Sequence, residues 1–173
     1  MWSIVRNGRR GFCEEELNKM SCFICERIEM IKNETNLYFV KELETGYVVI
    51  GDFQYFYGRT IFLCKEHVTE LHYLESTFKQ KHLEEMALVQ EAVAKAFKAE
   101  KMNIEMLGNA DSHVHWHLFP RQQGDLQPYA SKGPVWWVPL EVMEGEAARP
   151  TNEKLAEMVE TLRKTLDEVL ESE

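Results

Sequence analysis

The chain has 173 residues, 45% apolar and 28% charged, which suits one globular domain with a substantial core. A net charge of −9 and a pI near 5.2 exclude general nucleic-acid or anionic-membrane binding, which need a basic surface, but not a small phosphorylated ligand held by a few local groups. No run approaches the roughly 18 apolar residues of a membrane span, so no membrane partner is expected.

The N-terminus "MWSIVRNGRR" is basic, but no apolar h-region follows it, so it does not read as a secretory signal. A cytoplasmic location is the default. There Cys13, Cys22, Cys25 and Cys64 read as thiols or metal ligands rather than disulfides. Residues 1–19 read as a polar lead-in, and Met20 as an alternative start. "SCFICERIEMI" suggests a turn or helix around Cys22 and Cys25. "LYFVKEL" (37–43) and "YVVIGD" (47–52) form a hairpin about Glu44-Thr45-Gly46, and "RTIFLC" (59–64) is a third strand.

A helix is expected over 80–100, with Leu83, Met86, Ala87, Val93, Ala94 and Phe97 on its apolar face. "MNIEML" (102–107) is a fourth strand, Gly108-Asn109 a turn, and "SHVHWHLF" (112–119) a fifth strand. Residues 122–150 are rich in Gly and Pro and carry Trp136-Trp137, which predicts an irregular but ordered loop. The bland reading puts at least one of these tryptophans in the core. A last helix follows Pro150, with a stripe of Leu155, Met158, Val159, Leu162, Leu166, Val169 and Leu170. The order predicts an α+β domain: a five-stranded antiparallel sheet with a long helix packed on it and an additional C-terminal helix, helices on one side. The domain proper is expected over 20–121, with 122–173 a loop and helix packed on it.

Alternation places His113, His115 and His117 on one strand face and Val114, Trp116 and Leu118 on the other. Such a row can bind metal, move protons near neutral pH or attack an electrophile, and it attracts phosphate. The bland alternative is surface histidines on an amphipathic strand. No Glu follows within a few residues, and the nearest Asp downstream is Asp125, eight residues on, which weakens metal-only readings of the triad. Cys22-x-x-Cys25 can hold one zinc if His67 and His113 complete a Cys₂His₂ set. Two buried core thiols or a redox pair are the alternatives. His72 and His82 read as ordinary structural histidines.

The run His113-Val114-His115-Trp116-His117-Leu118-Phe119 resembles the pattern of the histidine-triad (HIT) family, within the galactose-1-phosphate uridylyltransferase-like superfamily. "GRTIFLCKEH" (58–67) resembles a second family block, with Arg59 where the family usually has His. "LGN" (107–109) and "FPR" (119–121) fit the branch that carries an N-terminal Cys-x-x-Cys. The resemblance implies a nucleotide hydrolase or nucleotidyl transferase acting at the α-phosphate through a nucleotidyl-histidine intermediate. His115 would be the nucleophile, His117 would bind phosphoryl oxygens, and Asn109 would donate its amide to the same phosphate. Asp52 would hold the ribose, although it stands one residue from the family place. Cys22, Cys25, His67 and His113 would bind a structural Zn²⁺. Ala110 stands where some relatives have a hydroxyl that assists the leaving group. The alternative is a nucleotide-binding or sensing module without catalysis. A homodimer is implied as well, and Trp136 and Trp137 could stack on a base or close the site from a partner subunit.

Overall fold

The β-branched runs and turn residues settle into five strands in a computed structural model that describes residues 22–172. The lead-in, Cys13 and Met20 lie outside the described residues. The strands are β1 (Phe39–Glu42), β2 (Gly46–Ile50), β3 (Thr60–Cys64), β4 (Lys101–Glu105) and β5 (His115–Arg121). They form one sheet in the order β1-β2-β3-β5-β4, antiparallel throughout. The helices are α1 (Phe23–Lys32), α2 (Ser76–Ala96), the single turn α3 (Leu140–Met143) and α4 (Asn152–Glu171). The α+β architecture is thus the expected one. No helix among the described residues is long and apolar enough to cross a membrane.

Strand alternation sorts the side chains into two layers. Val48, Ile50, Phe62 and Leu118 face α2 and α4 in the main core, joined by Val89, Val93, Leu162 and Leu166. Tyr47, Val49, Ile61 and Leu63 face the other way, where Ile24, Ile28 and Ile31 of α1 cover them. The two long helices share one face, as expected, but α1 takes the opposite one. This is why every residue of β2 and β3 is buried. His115 lies opposite Leu63 and His117 opposite Ile61, so both imidazoles share the α1 face, just beyond its cover.

Helix α2 starts four residues before the expected point. The Glu75 carboxylate caps it, accepting the Thr77 and Phe78 N–H groups. Its buried face differs as well. His82, Glu85, Val89, Ala92 and Val93 are buried, whereas Leu83 and Ala87 are exposed. The reason is the hairpin turn. Glu85 accepts the Glu44 and Thr45 backbone N–H groups at 2.9 Å each, which rotates a polar stripe inward. His82 is fully buried, bonded to the Thr45 hydroxyl at 2.9 Å, and accepts the Trp116 indole N–H at 3.0 Å.

Helix α4 follows its predicted stripe from Leu155 to Val169, with Thr151 as N-cap. The 122–150 segment is ordered as expected. Leu126, Val135, Val138 and Met143 pack with Phe56 and Phe119 in a separate small core. Both tryptophans nevertheless stay half exposed, Trp136 at 42% and Trp137 at 57%, so neither is a core residue. Gly58 enters β3 with φ +91°, and a Cβ there would lie 2.3 Å from the Phe97 ring, so only glycine fits.

Candidate active site and metal centre

The first cluster is built from three distant segments. Cys22 is the N-cap of α1, and its sulfur accepts the Cys25 N–H at 3.5 Å, which turns both thiols to the same side. His67 comes from the segment after β3, with Nδ1 3.2 Å from Cys25 Sγ. His113 Nδ1 lies 3.5 Å from both sulfurs. Its Nε2 is 2.9 Å from the Cys64 carbonyl, which can only accept, so the proton sits on Nε2 and Nδ1 offers its lone pair to the thiols. The four donor atoms lie within 4.8 Å of one another. Tetrahedral zinc with its usual bond lengths would set sulfur and nitrogen about 3.6 Å apart. The donor set and its spacing therefore fit a metal ion. Burial holds the His113 ring down at about 4, so it stays in the neutral ligand form.

His113 stands just ahead of the strand that carries the other two histidines, with its ring toward the thiols of α1. β5 begins only at His115, because the chain ahead of it is pinned elsewhere. Val114 N–H donates to Val68 O at 2.9 Å, and Cys64 N–H donates to Val114 O at 3.1 Å. His113 is thereby turned into the thiol cluster and is 1% exposed. Nor do β4 and β5 share a tight turn. The nine residues 106–114 connect them, with Gly108 in the left-handed region at φ +65°.

His115 and His117 form the second cluster. His115 Nδ1–H donates to the His113 carbonyl at 2.6 Å. This leaves Nε2 of His115 as an acceptor, so the 3.1 Å contact between the two Nε2 atoms is a His117 N–H donated to His115. His117 Nδ1 is buried and finds no hydrogen-bond partner among the described residues. Burial, reinforced by the Arg59 and His115 charges, pushes the His117 ring down to about 3. In this pair the His115 Nε2 lone pair is engaged by the His117 N–H, and both groups stand at the same point.

Both rings open into a cavity of about 830 Å³. Asp52, Asn109 and Ala110 also line it. Asp52 sits past the end of β2 and is held by Arg27 Nη2 at 2.6 Å. Asn109 and Ala110 are exposed on the 106–114 segment. All the expected substrate-side residues thus meet at one cavity, and the four expected metal ligands meet beside it.

Sequence reasoning overlooked several wall residues. Arg27, Arg149 and Glu144 reach the cavity, and with Arg59 they place three guanidinium groups in a chain of net charge −9. Arg27 is only five residues after Cys22, but on a helix that spacing reads as a solvent-facing charge. Nothing in their local pattern pointed to the cavity, because each reaches it by tertiary packing. Of the two tryptophans expected near a base, Trp136 lines the cavity, fixed by its indole N–H, which donates to Glu105 at 2.7 Å.

Residues 58–124 match the family described as "HIT: HIT domain". None of the curated proteins matches the chain. Among solved structures, a histidine triad protein from Marinobacter aquaeolei VT8 is 25% identical, with a TM-score of 0.61, covering 76% of this chain and 89% of its own. A hypothetical histidine triad nucleotide-binding protein from Sulfolobus tokodaii strain 7 is 18% identical at a TM-score of 0.63, covering 84% and 93%. A Zn-bound histidine triad family protein from Mycobacterium smegmatis is 20% identical at a TM-score of 0.57, covering 90% and 99%. The alternating histidines, the fold and the domain match agree: residues 58–124 carry the histidine-triad (HIT) domain pattern, and the chain shares the fold of solved histidine-triad proteins.

Proposed function

We propose that the protein is a nucleotide hydrolase or nucleotidyl transferase that cleaves at the α-phosphate of a nucleotide conjugate through a nucleotidyl-His115 intermediate. The observation that carries this reading is the His113 carbonyl, 2.6 Å from His115 Nδ1. It fixes the tautomer whose Nε2 lone pair faces the cavity.

An incoming phosphoryl oxygen accepts the hydrogen bond from His117 Nε2–H that His115 Nε2 otherwise accepts. That release frees the His115 lone pair to attack phosphorus as the bond to the leaving group breaks and the departing atom keeps its electron pair. The ring then carries phosphorus on Nε2 and a proton on Nδ1. Its positive charge is stabilised by the His113 carbonyl and keeps the phosphorus–nitrogen bond labile. Water attacks next and gives up a proton to solvent, the P–N bond breaks, and the electron pair returns to Nε2, leaving the nucleoside monophosphate. Asn109 supplies an amide to the phosphate from the loop, and Asp52, oriented by Arg27, holds the ribose.

Cys22, Cys25, His67 and His113 hold a structural Zn²⁺ in this reading. Its contribution is mechanical: the ion ties α1 to the segment that carries the His113 carbonyl, and so sets the tautomer of His115. A homodimer belongs to the same reading, and sedimentation of the purified chain checks it.

The test is His115→Asn, assayed on dinucleoside polyphosphates, nucleotide sugars and nucleoside phosphoramidates, with acid-quench capture of a labelled nucleotidyl-enzyme. Turnover and the adduct should both vanish while the fold and metal content remain. A variant with undiminished turnover would sink the mechanism. Ala110 supports a second reading, a binding or sensing module, since its side chain brings no hydroxyl to the leaving group. Tight AMP or GMP binding by the native chain, with no turnover on the whole panel, would favour that module.

A further inference from the structure

Arg59 is a charged residue in an unusual position. It is 6% exposed, and its stem lies against Gly51, where a Cβ would come within 3.2 Å of Arg59 Cγ. Glycine at 51 therefore makes room for a long side chain at 59. The guanidinium sits 5.1 Å from the centre of the Phe119 ring. Thr60 pairs with Leu118, and so Arg59 continues the face that carries His115 and His117, one step further along β5. It lines the same cavity as both.

The partners of this cation are too few. Its Nε–H is buried with no hydrogen-bond partner among the described residues. Its ion pair is Nη1 to Glu144 Oε1 at 3.3 Å, well beyond the roughly 2.7–2.9 Å of a good charge-assisted bond. Glu144 follows α3 on the Trp136 loop, and its side chain is 35% exposed, five times the 7% of Arg59. A buried guanidinium with one long bond to a carboxylate at the solvent edge is poorly satisfied, and it matches a planar or tetrahedral oxyanion that uses two of its donors.

We propose that Arg59 is a specificity residue that binds the phosphoryl group next to the α-phosphate, the β-phosphate of a nucleoside polyphosphate conjugate, and that Glu144 holds this place until the phosphoryl group displaces it. The proposal rests on the nucleotide reading above. It adds a requirement for a second negative charge on the substrate, set by Arg59 just ahead of β3 and by Glu144 on the loop beyond the HIT match.

The experiment is a calorimetric comparison of AMP with α,β-methylene-ADP, which carries the second phosphate and resists cleavage, repeated with GMP and its methylene diphosphate. The native protein should prefer the diphosphate by about tenfold. Arg59→His should bring that ratio below about two and move monophosphate affinity by less than about threefold. Glu144→Gln should raise the ratio by about threefold or more, because a general loss of negative charge would tighten both ligands alike. Glu144 is near the surface, so this second variant carries the test if Arg59→His misfolds.

An unchanged ratio in both variants, or no preference in the native protein, overturns the proposal and leaves the ion pair as a staple for the loop. If the native protein binds no nucleotide and turns none over, the functional reading falls with it. If nucleotides bind, His115→Asn abolishes turnover and the ratio alone fails to respond, only the Arg59 proposal falls.

Discussion

Two histidine clusters lie back to back across β5, and they differ in one respect. His82, on the helix side, has both ring nitrogens engaged, with the Thr45 hydroxyl and the Trp116 indole. His115 and His117, on the cavity side, spend their only mutual bond on each other and leave His117 Nδ1 unpartnered. His82 and His115 are buried and His117 is half-buried, and burial depresses both His82 and His117 far below an ordinary imidazole. Burial and a low pKa therefore do not distinguish a structural histidine from a reactive one. Completeness of hydrogen bonding does, because a satisfied ring has nothing left for a ligand.

The sharpest way to break the comparison is to remove one ring from each side. His115→Asn should lower turnover by about 10⁴-fold or more while leaving thermal stability nearly unchanged. Next in size is the metal centre. Cys22→Ser should lose the bound zinc, measured by elemental analysis, and lower stability by about 4 kcal/mol, a melting shift near 10 °C. If the variant keeps its full zinc content, the metal does not lie at the thiols.

His82→Phe probes the other side of β5. Phenylalanine keeps the stack on Phe62, whose ring centroid is 4.7 Å away, but strands the Trp116 N–H and the Thr45 hydroxyl. The expected cost is about 2–3 kcal/mol at pH 7, with turnover within a few-fold of native. Acid adds a signature. The folded ring titrates at about 4 against 6.5 for a free imidazole, so between these values the unfolded chain binds the proton more readily. The stability that neutral His82 supplies is complete above pH 6.5 and drains away as pH falls toward 4. His117 drains in the same direction in both proteins. The gap between native and His82→Phe should therefore narrow by about 2 kcal/mol between pH 7 and pH 5, measured by urea unfolding. A constant gap would mean that His82 does not stay neutral in the fold.

This comparison also shows what the sequence can and cannot carry. Alternation at His115, Trp116 and His117 was legible because a strand has a period of two, and the Cys-x-x-Cys turn was legible because its two donors are local. His113 was expected inside the strand but stands ahead of it, because its place depends on bonds to Cys64 and Val68, some fifty residues away in sequence. The inward face of α2 was misread for the same reason. His82 and Glu85 look like solvent residues until the hairpin turn offers its N–H groups to Glu85. Arg27 and Glu144 reach the cavity through helix and loop placement alone, and no spacing rule covers that.

The smallest expected effect concerns the two indoles that mirror the histidine clusters. Trp116 gives its N–H to His82 behind the sheet, and Trp136 gives its N–H to Glu105 at the cavity. The first bond closes a polar network. The second sets an aromatic wall, 42% exposed, beside the triad, where a base can stack. Trp136→Ala should raise KM by about fivefold with kcat within about twofold, the loss of one modest stacking contact. Trp137 is more exposed and does not line the cavity, so Trp137→Ala should leave KM unchanged. Steady-state kinetics on the same substrate separates the two. If both variants behave alike, the loop supports the site only through its small core of Val135, Val138 and Met143, and the indole contributes no surface to the ligand.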